Sequence, residues 1–160
     1  KNVKPSWHTP KLCKIAVERN GNCLKDVKED LQTTELCEIA VKNRGCALQF
    51  AKKELQTAKM CEIAVCQNGH ALAHVRDDLQ TPELCKMAVC QNGFALRIVR
   101  DDWHTPELCE IAIRQNKDAL EFVRYDLLTP EMCKLVGAIY DPSVNYIQRN
   151  CLTYSWKITK

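Results

Sequence analysis

The fold is decided by a stretch that the chain repeats, Thr81 to His104, which reads T-P-E-L-C-K-M-A-V-C-Q-N-G-F-A-L-R-I-V-R-D-D-W-H. Threonine recurs at a spacing of 24 residues, and in the first six cases a cysteine follows it four residues later. Numbering each unit from its threonine as position 0 divides the 160 residues into a partial unit 1–8, repeats 9–32, 33–56, 57–80, 81–104 and 105–128, a degenerate capping repeat 129–152, and a partial unit 153–160. A fixed period of this length predicts a repeat array.

Each unit has the pattern of two short helices. Threonine is a good N-cap, proline is favoured at the first helical position, and glutamate at position 2 suits the helix dipole. Leucine, isoleucine and alanine at positions 3, 6 and 7 form an apolar stripe, which cysteine and valine at positions 4 and 8 widen. We expect Asn-Gly, as in Asn68-Gly69, to end the first helix with glycine in the left-handed conformation. The second helix carries alanine, leucine and valine at positions 14, 15 and 18, and leucine at position 22 covers the exit turn.

The predicted fold is a single all-α domain over residues 1–160. It is an α-solenoid of stacked 24-residue helix-turn-helix repeats. One hairpin of this size cannot bury its apolar faces, whereas stacked neighbours can. The sequence has no period-two alternation that would indicate strands. Unit 129–152 has Gly137 in place of valine and Tyr140-Asp141 in place of Asn-Gly, and such an atypical unit is typical of a cap.

The units resemble short bacterial repeats that occur in tandem and are classed as a domain of unknown function. The shared pattern is T-P-E-x-C-x-x-A-V-x-Q-N-G-x-A-L, which Thr81 to Leu96 follows closely, and the resemblance covers residues 9 to about 136. It implies stacked helical hairpins and carries no catalytic motif. Lys117, which stands where the other units have glycine, and the sixth unit depart from the pattern.

The 11 cysteines suggest a disulfide framework at first, but six of them occupy one repeat position. Equivalent residues of neighbouring units should lie roughly 8–10 Å apart, the helix-packing distance. A disulfide needs Cα atoms within about 7 Å. We therefore expect these six cysteines to be buried thiols in a reducing, cytoplasmic protein.

The third unit contains the candidate metal ligands Cys66, His70 and His74, of which the two histidines are four residues apart. Residues four apart on an α-helix share a face, and zinc takes such pairs. The alternative is that positions 13 and 17 simply vary between units. Cys66 and Cys90 share position 9 but are a full repeat apart. We expect no metal and no cofactor.

Positions 13 and 17 vary most in chemistry, and exposed aromatic and histidine side chains on one stripe are typical of a recognition surface. The alternative is that the large apolar members pack between neighbouring second helices. The candidate partner-binding residues are Phe50, His70, His74, Phe94, Ile98 and Phe122.

In the five repeats within residues 9–128, position 19 is basic and position 21 is acidic. This basic ladder consists of Lys28, Lys52, Arg76, Arg100 and Arg124. One interpretation is that cations close the second helix, where the dipole favours them, and pair with the adjacent carboxylates. The other is a track for nucleic acid or an acidic partner.

The remaining features narrow the class of function. The net charge is only +3, the longest apolar stretch has six residues (135–140), and no signal peptide is expected at the N-terminus. Phosphate loops, His-Glu-x-x-His and Gly-x-Ser-x-Gly motifs do not occur, so we do not expect an enzyme. We expect a non-enzymatic scaffold for protein–protein interaction. The alternatives are binding of nucleic acid or an acidic partner through the ladder, and end-to-end self-assembly.

Overall fold

Threonine-capped α-helices form in every unit that the structure describes. The computed structural model describes residues 9–137. Its α-helices are α1 (Pro10–Arg19), α2 (Thr34–Asn43), α3 (Ala58–Gln67), α4 (Pro82–Gln91), α5 (Pro106–Gln115) and α6 (Pro130–Val136). In each case the threonine hydroxyl accepts a hydrogen bond from the backbone N–H of position 3, as Thr81 does from Leu84 at 3.1 Å. The N-cap prediction is confirmed.

In the five repeats within residues 9–128, the second helix is a 3-10 helix, and it is followed by a shorter 3-10 turn. The long 3-10 helices are Gly21–Asp26, Gly45–Phe50, Gly69–His74, Gly93–Ile98 and Lys117–Phe122. The short turns are Glu29–Leu31, Lys53–Leu55, Asp77–Leu79, Asp101–Trp103 and Tyr125–Leu127. Position 18 lies between the two in extended conformation and does not belong to the second helix, contrary to the prediction.

The reason for the 3-10 geometry lies in the spacing of the buried residues. Gly69 and Leu72, at positions 12 and 15 of one 3-10 helix, are buried, and so is Val75, the extended residue that follows this helix at position 18. A 3-10 helix has three residues per turn, so residues three apart lie directly above one another. An α-helix would turn the same residues progressively away from the core.

Glycine at position 12 does not adopt the left-handed conformation that we predicted. Within residues 9–137, positive φ occurs only at Gly137, which caps α6. The preceding residue, such as Asn68, ends the α-helix in extended conformation and caps the following 3-10 helix with its side chain. Glycine is needed for close packing instead, because a Cβ on Gly69 would lie 2.3 Å from the carbonyl oxygen of Ala88 in the next unit.

The units stack in line to form an all-α solenoid. Each long 3-10 helix packs against the α-helix of its own unit and against that of the next unit. Consecutive α-helices also pack side by side, so the α-helices make one row and the 3-10 helices another. Within residues 9–137 there is no strand. The core between the rows comes from positions 3, 4, 7 and 8 of the α-helices and from positions 14, 15 and 18, while isoleucine at position 6 is only partly buried.

The position-4 cysteines are core residues, as predicted. All six are buried, and no disulfide joins the cysteines within residues 9–137. Burial raises the pKa of the thiols of Cys37, Cys85 and Cys109 to about 11. These thiols are therefore protonated and packed, whereas Cys66 and Cys90 are exposed.

Several predictions concern residues outside this range. The partial unit 1–8, the turn around Asp141-Pro142 in the rest of the capping repeat, and the partial unit 153–160 all lie outside the described residues.

Candidate interaction surface on the 3-10 helices

The candidate partner-binding residues occupy the second and the last residue of the long 3-10 helices. His70 and His74 are exposed, whereas the apolar members are half-buried. Residues four apart on a 3-10 helix are rotated by about 120° from each other, because three residues complete a turn. His70 and His74 therefore do not share one face as they would on an α-helix. Positions 13 and 17 form two rows on the surface of the 3-10 helices, not one stripe.

The two rows meet across the boundary between units. Phe94, at position 13, and Phe122, at position 17 of the next unit, have ring centroids 5.9 Å apart and planes inclined at 67°. The guanidinium group of Arg97 lies 6.0 Å from the centroid of the Phe122 ring. We call Phe94, Arg97 and Phe122 the aromatic cluster. Edge-to-face rings with a cation over one of them are a stable and partly solvated arrangement.

Part of each apolar side chain in the rows does pack against the protein. Phe50, Ile98 and Phe122 contact the core, although each keeps some exposed surface. These side chains therefore pack partly against the core and keep part of their surface exposed.

The histidines have different surroundings. The side-chain amide of Asn92, in the next unit, lies 2.9 Å from Nε2 of His70, which fits Asn92 as the donor. The pKa of His74 is lowered, mainly by partial burial and then by the positive charge of Lys53. The ammonium group of Lys53 donates a hydrogen bond to the His74 carbonyl oxygen at 2.7 Å. Among residues 9–137, no three metal-ligating side chains come together, and Cys66 does not form a site with the histidines.

Glutamine at position 23 joins consecutive units, and the sequence analysis missed this role. Gln56 is the buried polar residue of the described core, with 4% of its surface exposed. Its amide donates to the carbonyl oxygen of His74 at 2.9 Å and accepts from the backbone N–H of Arg76 at 2.9 Å. Gln32 makes the same two bonds one unit earlier. The recurrence of glutamine beside buried positions was the available signal.

Position 23 changes role in the later units. Gln80 bonds weakly within its own unit, to the carbonyl oxygen of Val75 at 3.4 Å. His104 bonds through Nε2 to the carbonyl oxygen of Val99 at 3.2 Å, and its buried Nδ1 has no hydrogen-bond partner. Hydrogen bonds from the side chain at position 23 thus join neighbouring units at Gln32 and Gln56. Those of Gln80 and His104 stay within their own units.

A second amide contact lies at position 10, at the end of the α-helices. Asn43 accepts a hydrogen bond from the N–H of Gly21 at 3.0 Å and donates to the carbonyl oxygen of Glu18 at 3.0 Å. Gln67 accepts from the N–H of Gly45 at 2.6 Å. The backbone N–H groups of Gly21 and Gly45 therefore donate to a side chain of the α-helix that each glycine approaches.

The residues of the basic ladder are N-caps of the short 3-10 turns and do not close the second helix. The dipole argument is therefore wrong for them, because a helix N-terminus disfavours a cation. Pairing with the adjacent carboxylates is present in three units. Nitrogen–oxygen distances are 3.5 Å for Arg100 and Asp102 and 2.8 Å for Arg124 and Asp126, and Arg76 binds Asp78 through two nitrogens.

Two arginines of the ladder also reach the preceding unit. Arg76 donates to the carbonyl oxygen of Lys53 at 3.1 Å, and Arg124 donates to that of Asp101 at 3.4 Å. The guanidinium group of Arg100 instead lies 5.1 Å from the ring centroid of Trp103. The described structure shows no ion pair for Lys28 or Lys52. The arginines thus contribute to the turns and the stacking, and their charge is largely matched by neighbouring carboxylates.

The comparisons with known proteins concern the first part of the solenoid. Residues 10–56 match the family described as Domain of unknown function (DUF4116). This range contains two of the helix–turn units, from α1 to the end of the second. No curated protein and no solved structure matches the chain.

None of the helices within residues 9–137 is long and apolar enough to cross a membrane.

Proposed function

We propose that this chain is a non-enzymatic solenoid scaffold that binds a protein partner through the surface of its 3-10 helices. The observation that carries the proposal is the aromatic cluster. Phe94 and Phe122 stay partly exposed at the boundary of two units, and the exposed Arg97 lies beside them. Aromatic residues and arginine are the types enriched at the centres of protein–protein interfaces.

The mechanism is rigid display. Stacked units with close glycine contacts and amide bonds hold the side chains of positions 13 and 17 at regular intervals. A partner then meets a surface that is already ordered, which lowers the conformational entropy lost on binding. We infer that the tandem 24-residue repeats resembling DUF4116 continue beyond residues 10–56 to about residue 136, and that the protein works in a reducing, cytoplasmic compartment.

The pairing of the arginines favours a protein partner over nucleic acid. Arg76, Arg100 and Arg124 face carboxylates two residues away, so these three positions of the ladder present little net positive charge. Binding of nucleic acid depends on uncompensated cations that displace counterions from phosphates.

The test uses the intact chain immobilised on a resin and extract from the source cells. Phe94→Lys is the informative variant, because Phe94 is half-exposed and its replacement leaves the core intact. Glu62→Lys, on the exposed side of α3, is the matched control that adds the same side chain. We expect a protein captured by the unchanged chain and by Glu62→Lys to be lost with Phe94→Lys at constant far-ultraviolet circular dichroism.

Two results would overturn the proposal. Capture that is unaffected by Phe94→Lys would place the contact elsewhere. A gel shift of nucleic acid that weakens steeply with salt and disappears when Lys28 and Lys52 are replaced by glutamate would favour the basic ladder.

A further inference from the structure

The hydrogen bonds that join neighbouring units are distributed unevenly along the solenoid. Side chains at positions 10, 19 and 23 can each reach the backbone of an adjacent unit. The second boundary lies between units 33–56 and 57–80, and the third lies between units 57–80 and 81–104. These two boundaries differ in whether the three positions bond across them.

At the second boundary all three positions bond across. Gln67, at position 10, accepts from the backbone N–H of Gly45 at 2.6 Å. Arg76, at position 19, donates to the carbonyl oxygen of Lys53 at 3.1 Å. Gln56, at position 23, accepts from the backbone N–H of Arg76 at 2.9 Å and donates to a carbonyl oxygen two residues earlier at 2.9 Å. The first boundary also has the bonds of positions 10 and 23.

At the third boundary the same residue types are present, but none of them bonds across. Within residues 57–104, all of which the structure describes, the exposed side chain of Gln91 at position 10 makes no hydrogen bond. Arg100, at position 19, lies over the ring of Trp103 in its own unit. Gln80, at position 23, bonds to Val75 in its own unit.

One polar contact between the two units remains within residues 57–104. The side-chain amide of Asn92 lies 2.9 Å from Nε2 of His70. His70 is exposed, so water competes for this contact and its net contribution to stability is small.

The apolar packing does not separate the two boundaries. Consecutive α-helices pack side by side at both, and glycine at position 12 approaches alanine at position 7 of the next unit at both. The difference between the boundaries therefore lies in their polar bonds.

The fourth boundary, between units 81–104 and 105–128, has contacts of its own. Arg124 donates to the carbonyl oxygen of Asp101 at 3.4 Å, and the aromatic cluster spans the same boundary. The third boundary is therefore held less firmly than the boundary on either side of it.

We propose that the third boundary is a hinge that divides the solenoid into two blocks, residues 9–80 and residues 81–128, which open and move separately. In a stack of repeats the contacts between neighbours couple their folding, so a weak interface separates cooperative blocks. The aromatic cluster lies wholly within the second block, so movement at the hinge reorients it without disturbing its internal contacts. The hinge does not depend on a partner being bound.

The direct test is hydrogen exchange of the full chain, followed by mass spectrometry of peptides from each α-helix. We expect the amides of α4 and α5 to be less protected than those of α2 and α3, by about tenfold or more, because the second block opens without breaking the bonds of the first two boundaries. The step should fall between α3 and α4. Equal protection of α3 and α4, a reversed order, or a step at another boundary would overturn the proposal.

Two matched variants test the cause of the step. Gln56→Ala combined with Gln67→Ala removes the bonds of positions 10 and 23 at the second boundary, so the protection of α3 should fall towards that of α4. Gln80→Ala combined with Gln91→Ala changes the same two positions at the third boundary and should leave the step as it is. Circular dichroism checks that both variants fold. Unchanged protection of α3 in the first variant, or an equal loss in α4 in the second, would contradict the proposal.

Discussion

At the scale of single residues, glycine at position 12 shows how closely the units pack. A Cβ on Gly69 or Gly93 would lie 2.3 Å from a carbonyl oxygen of the next α-helix. The atom that it would meet belongs to backbone and cannot move away like the end of a side chain. Lys117 occupies the same position before α6, is exposed, and precedes a helix that is only seven residues long.

Gly69→Ala should therefore destabilise the protein strongly, by about 2–3 kcal/mol for an overpacked site. Urea unfolding followed by circular dichroism measures this free energy. Lys117→Ala, at the equivalent position of the fifth unit, is the control and should change stability by less than about 0.5 kcal/mol. A small effect of Gly69→Ala would show that the units are not packed as closely as described.

The buried cysteines give the folded protein a characteristic dependence on pH. Burial raises the pKa of Cys37, Cys85 and Cys109 to about 11, whereas an unfolded thiol titrates near about 8.5. Between these values the unfolded chain has lost protons that the folded chain keeps. The stabilising contribution is complete below the unfolded pKa and is lost as the pH rises through the folded pKa.

We therefore expect the free energy of unfolding to fall between about pH 8.5 and 11. A variant with Cys37, Cys85 and Cys109 all changed to alanine should show a shallower fall, measured by denaturant unfolding at each pH under reducing conditions. Other groups titrate equally in both proteins, so the difference between the two slopes reports the thiols. Identical slopes would mean that these thiols are accessible in the folded state.

At the scale of elements, the sequence predicts the α-helices well and the second helix only in part. Threonine caps and the apolar stripe specify α1 to α6 directly. Apolar residues at positions 14, 15 and 18 fit an α-helix and a 3-10 helix equally, because they span too few turns to separate periods of 3.6 and 3.0. Gly69 separates the two periods, because it is buried three residues before Leu72. The sequence analysis instead predicts Gly69 as the left-handed residue that ends the first helix.

Because the sequence does not distinguish an α-helix from a 3-10 helix here, it predicts the candidate site only in part. Positions 13 and 17 were recognised as variable and lie on the surface of the 3-10 helices. Their division into two rows, and the contact of Phe94 with Phe122 across a boundary, depend on the 3-10 twist and on stacking. A pattern within one unit contains no information about contacts between units.

The bonds of position 23 provide a test of how the elements are joined. Gln56→Ala removes the side-chain partner of the Arg76 backbone N–H and leaves the His74 carbonyl oxygen with only its bond from Lys53, and should cost about 1–2 kcal/mol. Gln80→Ala removes one long bond within its own unit, so its effect should be distinctly smaller. Thermal and urea unfolding of the two variants make the comparison. Equal losses would indicate that Gln56 does not join the units.

At the scale of the whole molecule, the solenoid separates two tasks between its rows. The α-helices supply most of the core, and the 3-10 helices supply both contacts between units and the most varied surface. The paired ladder residues add little net charge to that surface. Because each described unit packs against the next in line, its exposed residues can differ from those of other units without changing the fold.

Photo-crosslinking from one defined site tests most directly whether the 3-10 surface binds the partner. Phe94 is replaced by p-benzoylphenylalanine in the full chain, and in a control the same amino acid replaces Glu62 on the exposed side of α3. After irradiation in source-cell extract, we predict a discrete adduct with a protein at position 94, competed by unmodified chain, and none at position 62. Adducts at position 62 alone, or equal adducts at both positions, would contradict the proposed interaction surface.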